Sequence, residues 1–383
     1  MKACVMNLFT WSVTFSVAIV GLAMLIVPAI AQDVYFGTGR NNAGKPEGIY
    51  VANFDEAEGK LTPAKLSLEL KGAGWVTKHP TLDVLYSTAN INGEHSVSAI
   101  DVSAAEARAI GSEATGGGGS CFITTDQTGK VLISTQYGGG KVSVFPLLED
   151  GSLQPRSQLI EHGEPSRVQK NQKSAHPHYA GISPDNRFAF VCDLGMDKIV
   201  VYQIDHQAAK LKEVSQVLSI PGGGPRHMKF HPNGKFALLL NELTLSVSVY
   251  KYEAESGLLT MLGTTEALTE EEKALNTFNS ASEIRIHPSG KFVYTGNRGH
   301  DSISVYQFNS VSGSLERTGL EPVRGSWPRN FNLSPSGDYL LAAGKDSNCV
   351  SVFTVNQETG GLQYLQHSPT FVPAPICVMF EKR

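Results

Sequence analysis

The sequence predicts an all-β protein, and within that class a seven-bladed β-propeller. Three observations support this prediction: four segments are near copies of one another, the copies recur at the period of propeller blades, and the two chain ends supply complementary parts of one more copy. The copies are SPDNRFAFVCDLGMDKIVVYQID, HPNGKFALLLNELTLSVSVYKYE, HPSGKFVYTGNRGHDSISVYQFN and SPSGDYLLAAGKDSNCVSVFTVN. With 383 residues, 41% of them hydrophobic, the chain can also build a sizeable core.

Each copy predicts two strands joined by a tight turn. In the third copy, Pro-Ser-Gly favours a turn, residues 292–295 form an apolar and β-branched run, and residues 303–308 alternate apolar with polar side chains. Two weaker copies precede the four clear ones, so the turns lie at Pro80, Gln127, Pro184, Pro232, Pro288 and Pro335. Subtraction gives separations of 47, 57, 48, 56 and 47 residues, which is the range of four-stranded blades.

A seventh blade is predicted from the two ends of the chain. Residues 34–55 resemble the second half of a repeat, and residues 373–380 resemble a single strand without its continuation. Pairing of these N- and C-terminal strands would close the ring and leave no open sheet edge. Linkers such as residues 312–323 would supply the outer strands. A stack of separate sandwich domains is the structural alternative.

The N-terminus predicts export. Lys2 precedes an apolar stretch over residues 13–30, and Ala29-Ile30-Ala31 fits a cleavage site. Residues 1–31 are therefore predicted to be a signal peptide and residues 32–383 the propeller, periplasmic or secreted and free of the membrane after cleavage. An uncleaved anchor is the alternative. The mature cysteines match no disulfide or zinc spacing and are expected to be buried free thiols: Cys121, Cys192, Cys349 and Cys377.

Charge and motifs exclude several functions. The net charge is -4 and no run of lysines or arginines occurs, which argues against a nucleic-acid partner. The segments GGGGS and YGGGK lack the Gly-Lys-Ser/Thr of a phosphate loop. No Gly-x-Ser-x-Gly elbow is present, so a serine nucleophile has no support. We therefore predict no cofactor and no metal ion.

The repeat also predicts where a site would lie. Residues before the first strand and after the second share the end of the blade opposite the turn, and first strands line a propeller's channel. The polar residues before first strands are His176, His178, Arg226, His227, Glu283, Arg329 and Asn330. Those after second strands include Asp193, Asn241, Glu242, Asn297, Arg298, His300, Asp301, Lys345 and Asp346. We expect these groups to converge on one mouth of the channel.

Structural roles are the alternative for these residues. A histidine before a strand can bond a loop carbonyl, although His176 and His178, two residues apart on an extended backbone, should point the same way. The arginines could be struts between blades, with glutamates as their ion-pair partners. Asp301 and Asp346 are expected to cap turns. His231 and His287 lie in the turns at the opposite end, where a structural role is expected.

Four strings together resemble the propeller-type 6-phosphogluconolactonase family, which also includes carboxymuconate cyclases. They are HPHYAGISPDNRFAFVCDLGMDKI, GPRHMKFHPNGKFALLLNELTLSVSVY, ASEIRIHPSGKFVYTGNRGHDSISVY and PRNFNLSPSGDYLLAAG. The resemblance covers essentially the whole mature chain and implies a seven-bladed propeller that acts on a small-molecule lactone. The cyclase branch is proposed to use one histidine, two arginines and one glutamate, which the matching motifs place at His178, Arg226, Glu242 and Arg298.

Such residues suit hydrolysis of a 1,5-lactone, which needs a base for water, positive charge for the oxyanion and an acid for the ring oxygen. We hypothesise that His178 or Glu242 activates water and that Arg226 and Arg298 hold the oxyanion. His176 is a reserve acid. The residues expected to contact substrate are His176, His227, Glu283, His300, Arg329 and Asn330.

The sequence departs from the family in its second blade. Relatives commonly read Cys-His before that blade and Ala-Asn-Tyr after it, whereas this chain has Cys121-Phe122 and Thr135-Gln136-Tyr137. A polar wall of the pocket is therefore expected to differ. Phosphorylated sugar lactones are cytoplasmic, so the expected substrate is either 6-phospho-D-glucono-1,5-lactone or, for an exported enzyme, an unphosphorylated aldonolactone.

Three other functions stay open at this point. The propeller could bind a ligand or a protein without catalysis, because a fold does not dictate a function. It could be a muconate-type lactonising cyclase. A metal-assisted lactonase would use His176, His178, His227 and Glu242 as ligands, but the neighbouring arginines would oppose a bound cation.

Overall fold

The computed structural model describes Met1, residues 32–40 and residues 43–381. In these residues the predicted all-β fold is confirmed, since the strands form seven antiparallel sheets. One short helix, α1 (Glu270–Ala274), was not expected; Thr269 begins it with a capping box. Except for Met1, the predicted signal peptide lies outside the described residues. No helix in the described part of the chain is long and apolar enough to cross a membrane.

The chain first forms the outer part of the closing blade, with strands β1 (Gln32–Thr38), β2 (Gly48–Asp55), β3 (Lys60–Leu61) and β4 (Lys65–Glu69). The next three sheets are blades one to three. Blade one is β5 (Val76–Lys78), β6 (Val84–Ile91), β7 (Glu94–Asp101) and β8 (Arg108–Ala114). Blade two is β9 (Phe122–Thr125), β10 (Val131–Gln136), β11 (Lys141–Pro146) and β12 (Gln158–Glu161). Blade three is β13 (Pro177–Ile182), β14 (Phe188–Asp193), β15 (Lys198–Asp205) and β16 (Lys210–Leu218).

Blades four to six continue in the same order. Blade four is β17 (Pro225–Phe230), β18 (Phe236–Asn241), β19 (Ser246–Glu253) and β20 (Leu258–Glu266). Blade five is β21 (Ser280–Ile286), β22 (Phe292–Arg298), β23 (Ser302–Phe308) and β24 (Leu315–Pro322). Blade six is β25 (Pro328–Leu333), β26 (Tyr339–Gly344), β27 (Cys349–Val355), β28 (Leu362–Tyr364) and β29 (Thr370–Phe371).

The last strand, β30 (Pro375–Phe380), closes the ring as predicted. It pairs antiparallel with β1, with Val34 opposite Phe380, so the closing blade has β30 inside and β1, β2 and β4 outside. The innermost strands β5, β9, β13, β17, β21, β25 and β30 contact one another in turn around the channel. Every blade therefore presents its first strand to the channel, as the repeat predicted.

Each junction between neighbouring blades has its own apolar cluster. The described residues form seven such clusters; one of them, for example, packs Phe236 and Leu238 of blade four against Val293 and Tyr306 of blade five. Alternating side chains of both faces of each blade enter these clusters, which explains the apolar alternation of the repeats. These apolar junctions hold neighbouring blades together. The polar residues of the channel are not part of them and can therefore have a function other than packing.

The turn ends of neighbouring blades are joined by histidines. Nε2 of the turn histidine lies beside a glycine carbonyl of the next turn at His79 and Gly129 (3.2 Å), His231 and Gly290 (2.9 Å), and His287 and Gly337 (3.0 Å). Gly290 has φ of 73°, and a Cβ there would lie 2.5 Å from Nε2 of His231. The structural role expected for His231 and His287 is confirmed.

The four described cysteines are free, as predicted. Cys192 and Cys377 are fully buried, whereas Cys121 and Cys349 are only half-buried, so the prediction of burial holds for two of the four. Burial raises the pKa of the Cys121 thiol. This thiol lies at the channel wall and is 3.4 Å from the backbone oxygen of His178.

Candidate active site

A β-bulge interrupts the innermost strand at the same place in several blades. The pairing register shifts at His178 in β13, at Arg226 in β17, at Ser282 and Glu283 in β21, and at Arg329 in β25. A bulge adds one residue to a strand and redirects its side chain. Because the bulges recur at the mouth opposite the turns, they direct successive side chains toward one end of the channel.

The bulge residues belong to a ring of seven positions, each five residues before the first residue of its turn. The ring consists of Gly74, Cys121, His178, Arg226, Ser282, Arg329 and Ile376. Six of them, all but Ser282, line a cavity of about 130 Å³, together with Trp75, Ser120 and His227. The repeat thus provides one equivalent position in every blade, and the seven blades fill it with six residue types, arginine occurring twice.

A carboxylate holds two arginines together above this cavity. Glu242, directly after β18, accepts hydrogen bonds from Nε of Arg226 and from Nη2 of Arg298, both at 2.8 Å. Arg298 also donates to the backbone oxygen of Ala281 at 2.8 Å, and Arg226 donates to the backbone oxygen of Ser282. Three of the four residues matched to the family motif are therefore in direct contact and form what we call the arginine clamp: Arg226, Glu242 and Arg298.

A chain of buried hydrogen bonds from Arg226 through His227 to Glu283, which we call the relay, fixes Arg226 from beneath the cavity. Its Nη1 lies 3.1 Å from Nε2 of His227, and Nδ1 of His227 lies 2.9 Å from Oε1 of Glu283. A guanidinium only donates, so Nε2 accepts and Nδ1 carries the proton that is donated to Glu283. Glu283 also accepts from the amide of Asn330 at 2.6 Å and pairs with Arg285 at 3.3 Å. His227 is therefore a neutral imidazole of defined tautomer.

An aromatic cluster lies between the cavity wall and the relay of His227 and Glu283. Trp75, Phe122 and Tyr179 contact one another in sequence with ring centroids 4.4 Å apart, and Tyr179 lies 5.3 Å from the ring of His227. Of these three rings, only that of Trp75 lines the cavity. Phe122 occupies the place where a histidine was expected from the family resemblance, and it packs against Trp75 behind the cavity wall.

His178 is the fourth motif residue and lies at the cavity wall. It is 5% exposed, its ring is 5.2 Å from that of His227, and its Nδ1 has no hydrogen-bond partner among the described residues. Burial, and the charge of Arg226 after it, lower the pKa of His178 well below the usual value. His178 is therefore neutral at neutral pH and can accept a proton.

Two further hydrogen-bond donors at the mouth have no acceptor among the described residues. Nε of Arg298 is buried without a partner among the described residues. Arg329, half-buried at the bulge of β25, makes no hydrogen bond or ion pair with any residue in the described part of the chain. Burial and the neighbouring Arg298 lower the pKa of Arg329. A buried donor without an acceptor is rare, so Nε of Arg298 indicates a place for an anion or oxyanion, and the half-buried guanidinium of Arg329 adds positive charge there.

The charges of the clamp are stable at neutral pH. Burial and Arg298 lower the pKa of Arg226 to about 9, with Glu242 opposing the shift, so Arg226 stays a cation. Burial alone would raise the pKa of Glu242, but Arg298 and Arg226 outweigh it and hold this pKa below the usual range. With Arg329, the mouth carries three cations and one anion.

The other residues that were predicted to contact substrate lie at different depths: at the mouth, at the cavity wall or beneath the cavity. His176 lies at the mouth, stacked on Tyr137 with ring centroids 4.3 Å apart. Glu283 and Asn330 are completely buried beneath the cavity, in the relay rather than at its wall. His300 lies beside the mouth, where Nδ1 is 2.9 Å from Oγ of Ser302. Only Arg329 and His227 of this group line the cavity together with His178 and Arg226.

The rings of His176 and His178 both contact the ring of Tyr137, at centroid distances of 4.3 Å (stacked) and 5.5 Å (edge-on). The bulge at His178 also brings this side chain to the cavity wall, which His176 does not line. Within the described residues, no three His, Cys, Asp or Glu side chains are grouped so as to hold a metal ion. The metal-assisted alternative, which needed four such ligands together, gains no support.

Sequence reasoning did not identify the apolar part of the wall. Gly74, Trp75, Cys121 and Ile376 line the cavity but carry no chemistry that would single them out. The signal that could have found Gly74, Cys121 and Ile376 is their spacing of five residues from the turn.

The fold and this mouth define the class of the protein. The sequence model of the family described as "Lactonase, 7-bladed beta-propeller" matches residues 33–380, and the chain belongs to this family. It is a lactonase, which is a carboxylic ester hydrolase. The resemblance inferred from the repeats is thereby confirmed.

Three proteins are similar to the chain over nearly its whole length. The chain is similar to the 6-phosphogluconolactonase of Bacillus subtilis (strain 168), with 32% identity over 350 residues that cover 90% of this chain and 98% of that protein. Its fold is similar to that of the periplasmic gluconolactonase of Pseudomonas aeruginosa, with TM-score 0.83, 27% identity and coverage of 91% and 99%. A protein from Lactobacillus plantarum has TM-score 0.85 at 26% identity, covering 92% and 100%.

Proposed function

We propose that the protein opens the ring of an aldono-1,5-lactone by adding water, and that the arginine clamp and His178 carry the reaction. The observation that supports this most strongly is the pair of buried polar atoms without partners, Nε of Arg298 and Nδ1 of His178, beside a cavity of about 130 Å³. One is a donor suited to an oxyanion and the other belongs to a neutral base. Both are placed on strands, which hold them rigidly.

His178 is proposed to be the base, and Glu242 is not. Both oxygens of Glu242 already accept hydrogen bonds from arginines, so neither is available to accept a proton from water. His178 is neutral and has no competing partner at Nδ1. Glu242 then has a positioning role, because it sets the distance and orientation of the two guanidinium groups.

The reaction follows from these roles. A water molecule attacks the lactone carbonyl carbon while its proton passes to His178, and the carbonyl oxygen becomes an oxyanion held by Arg226 and Arg298. The tetrahedral intermediate collapses, the bond from the carbonyl carbon to the ring oxygen breaks, and the ring oxygen takes up the proton that His178 received from water, either directly or through His176. The new carboxylic acid releases its proton to solvent, which gives the open-chain aldonate with its carboxylate at the cationic mouth.

The substrate is proposed to be an unphosphorylated aldonolactone outside the cytoplasm. Two observations support this: residues 1–31 have the pattern of a signal peptide, and a structural neighbour is named a periplasmic gluconolactonase. We therefore also propose that the protein is exported to the periplasm or secreted. The phosphorylated lactone is the second candidate, because Arg329 is an unpaired cation and a relative is named 6-phosphogluconolactonase.

Initial rates on glucono-1,5-lactone with and without the 6-phosphate test this proposal, after subtraction of the spontaneous hydrolysis. We expect the higher kcat/KM on the unphosphorylated lactone. The variant Arg329→Gln separates the two candidates: if Arg329 binds a phosphate, this variant should lose activity mainly on the phosphorylated lactone. Absence of hydrolysis on both lactones, with thermal stabilisation by either, would replace the proposal by ligand binding without catalysis.

A further inference from the structure

An aromatic stack leads from the arginine clamp out to the surface. The guanidinium of Arg298 lies over the ring of Trp327, 5.6 Å from its centroid, and the ring of Phe278 is stacked on Trp327 at 5.7 Å with an interplanar angle of 15°. Exposure rises along the stack: Arg298 is 5% exposed, Trp327 is half-buried and Phe278 is 50% exposed. The stack therefore begins in the site and ends in solvent.

The backbone of Trp327 is held in an unusual conformation. Its φ is 59°, in the left-handed region that bulky residues rarely adopt, and its N–H donates to Oδ1 of Asp301 at 2.9 Å. Glycine would fit this backbone with less strain. Such strain clusters at functional sites, where the surrounding structure enforces it. Asp301, expected from sequence to cap a turn, thus fixes an aromatic side chain beside the clamp.

The cavity itself is too small to hold more than one sugar ring. Its volume is about 130 Å³, whereas pockets for larger ligands measure roughly 300–1,000 Å³. Any substituent attached to a lactone ring in this cavity must lie at the mouth. On the side of blades five and six, the mouth offers the rings of Trp327 and Phe278.

We propose that Phe278, supported from behind by Trp327, forms a platform for a second sugar ring, so that the preferred substrate is an aldonolactone that carries a further sugar unit. This inference rests on the proposed lactone hydrolysis. Aromatic faces pack on the apolar C–H faces of pyranose rings through burial and dispersion. A phosphate group would gain nothing from the stack, and a protein partner would need a far larger apolar surface than two rings.

The test compares glucono-1,5-lactone with cellobiono-1,5-lactone, in which a glucose unit is attached to the same lactone. For the native protein we expect kcat/KM on the disaccharide lactone to exceed that on the monosaccharide lactone by about two- to tenfold, the factor that one aromatic stacking contact supplies. In Phe278→Ala this ratio should fall to about one, through a higher KM for the disaccharide lactone.

Leu275→Ala is the matched control, because Leu275 lies in the same loop, is 73% exposed and takes no part in the stack. It should leave the ratio unchanged. A ratio of one in the native protein, or a ratio that persists in Phe278→Ala, would overturn the platform while leaving lactone hydrolysis intact. No hydrolysis of either lactone would overturn the proposed function itself, and the platform with it.

Discussion

The two ends of the propeller use similar residues in opposite ways. At the turn end, His231 and His287 each bond a glycine carbonyl of the next blade, and His79 makes the same contact with Gly129. At the other mouth, Nδ1 of His178, Nε of Arg298 and the whole guanidinium of Arg329 have no partner in the described part of the chain. The turn-end histidines are bonded to neighbouring blades, whereas these three groups at the mouth have no partner among the described residues.

The difference shows how a repeat protein separates stability from activity. A contact that recurs at equivalent junctions, as this one does at three of them, is best explained by its role in holding the ring together. The position five residues before each turn is different: the seven blades fill it with seven different side chains, except that arginine occurs twice. Function is expected at equivalent positions of the blades that carry different residue types. At the mouth, these positions lie beside polar atoms that have no hydrogen-bond partner among the described residues.

Replacing the proposed base should give the largest effect on activity. In His178→Asn we expect kcat to fall by about 10²–10⁴-fold, the usual contribution of a positioned general base. Thermal stability at neutral pH should change little, since the lost Nδ1 makes no hydrogen bond with a described residue. Kinetics on glucono-1,5-lactone and thermal unfolding of the same samples check both statements. A folded variant with native kcat would remove His178 from the mechanism.

Weakening the arginine clamp should be the next largest effect. Arg226→Gln removes one of the two cations proposed to hold the oxyanion, and kcat should fall by about 10²–10³-fold. The matched control is Arg187→Gln at the turn end, where Arg187 pairs with Asp185 at 2.7 Å. This control should keep kcat within twofold. Equal losses in both variants would show that charge removal acts through the fold rather than through the mouth.

Acid should destabilise the mouth because its histidines are buried and neutral. Burial lowers the pKa of His178, and it lowers that of His227 to about 3. Above pH 6.5 both histidines are neutral whether the chain is folded or not. Below it, the unfolded chain binds protons that the folded chain excludes, so stability falls; for His227 the loss is about 1.4 kcal/mol at pH 5.5.

Denaturant unfolding at pH 7.5 and 5.5 measures this loss. His227→Phe should lessen the difference between the two pH values, whereas His367→Gln, which changes an exposed histidine, should not. Equal stability at the two pH values would mean that the buried histidines accept protons in the folded state, contrary to their environment.

Breaking the turn end should cost stability alone and give the smallest effect. In His287→Ala, the carbonyl of Gly337 and the hydroxyl of Ser289 lose a buried partner, for a loss of about 1–3 kcal/mol in the free energy of unfolding. Because this bond lies at the opposite end from the clamp, kcat should stay unchanged. Chemical denaturation and kinetics of one preparation decide it; a large loss of kcat would show that the two ends are coupled.

Most of the ring could be predicted from sequence, because the repeats show both the alternation of residues within strands and the spacing between blades. The contact of Arg226, Glu242 and Arg298 also followed from the repeat, which places residues before first strands and after second strands at the same end of every blade. The burial of Glu283 under the cavity did not follow. It depends on the bulges, and a bulge depends on how two strands pair, which the sequence of one strand does not contain.

The helix α1 and the stack of Phe278 on Trp327 were also beyond sequence reasoning. The helix and Phe278 lie in the connection between blades four and five, which departs from the repeat. Trp327 has a counterpart in Gly224 of blade four, whose φ is 67° and whose N–H donates to Asp197, but a glycine there does not predict an aromatic side chain. The left-handed backbone of Trp327 depends on Asp301, which is distant in sequence. Local preference alone would have placed glycine there.

One paired measurement tests the division between the two ends most directly: lactone hydrolysis and thermal unfolding of His178→Asn and His287→Ala, side by side with the native protein. The prediction is a crossed result, in which His178→Asn loses at least 99% of the activity and keeps its melting temperature, while His287→Ala keeps its activity and melts at a lower temperature. If His178→Asn keeps its activity, or if His287→Ala loses activity in proportion to the other variant, the mouth is not the separate catalytic region described above.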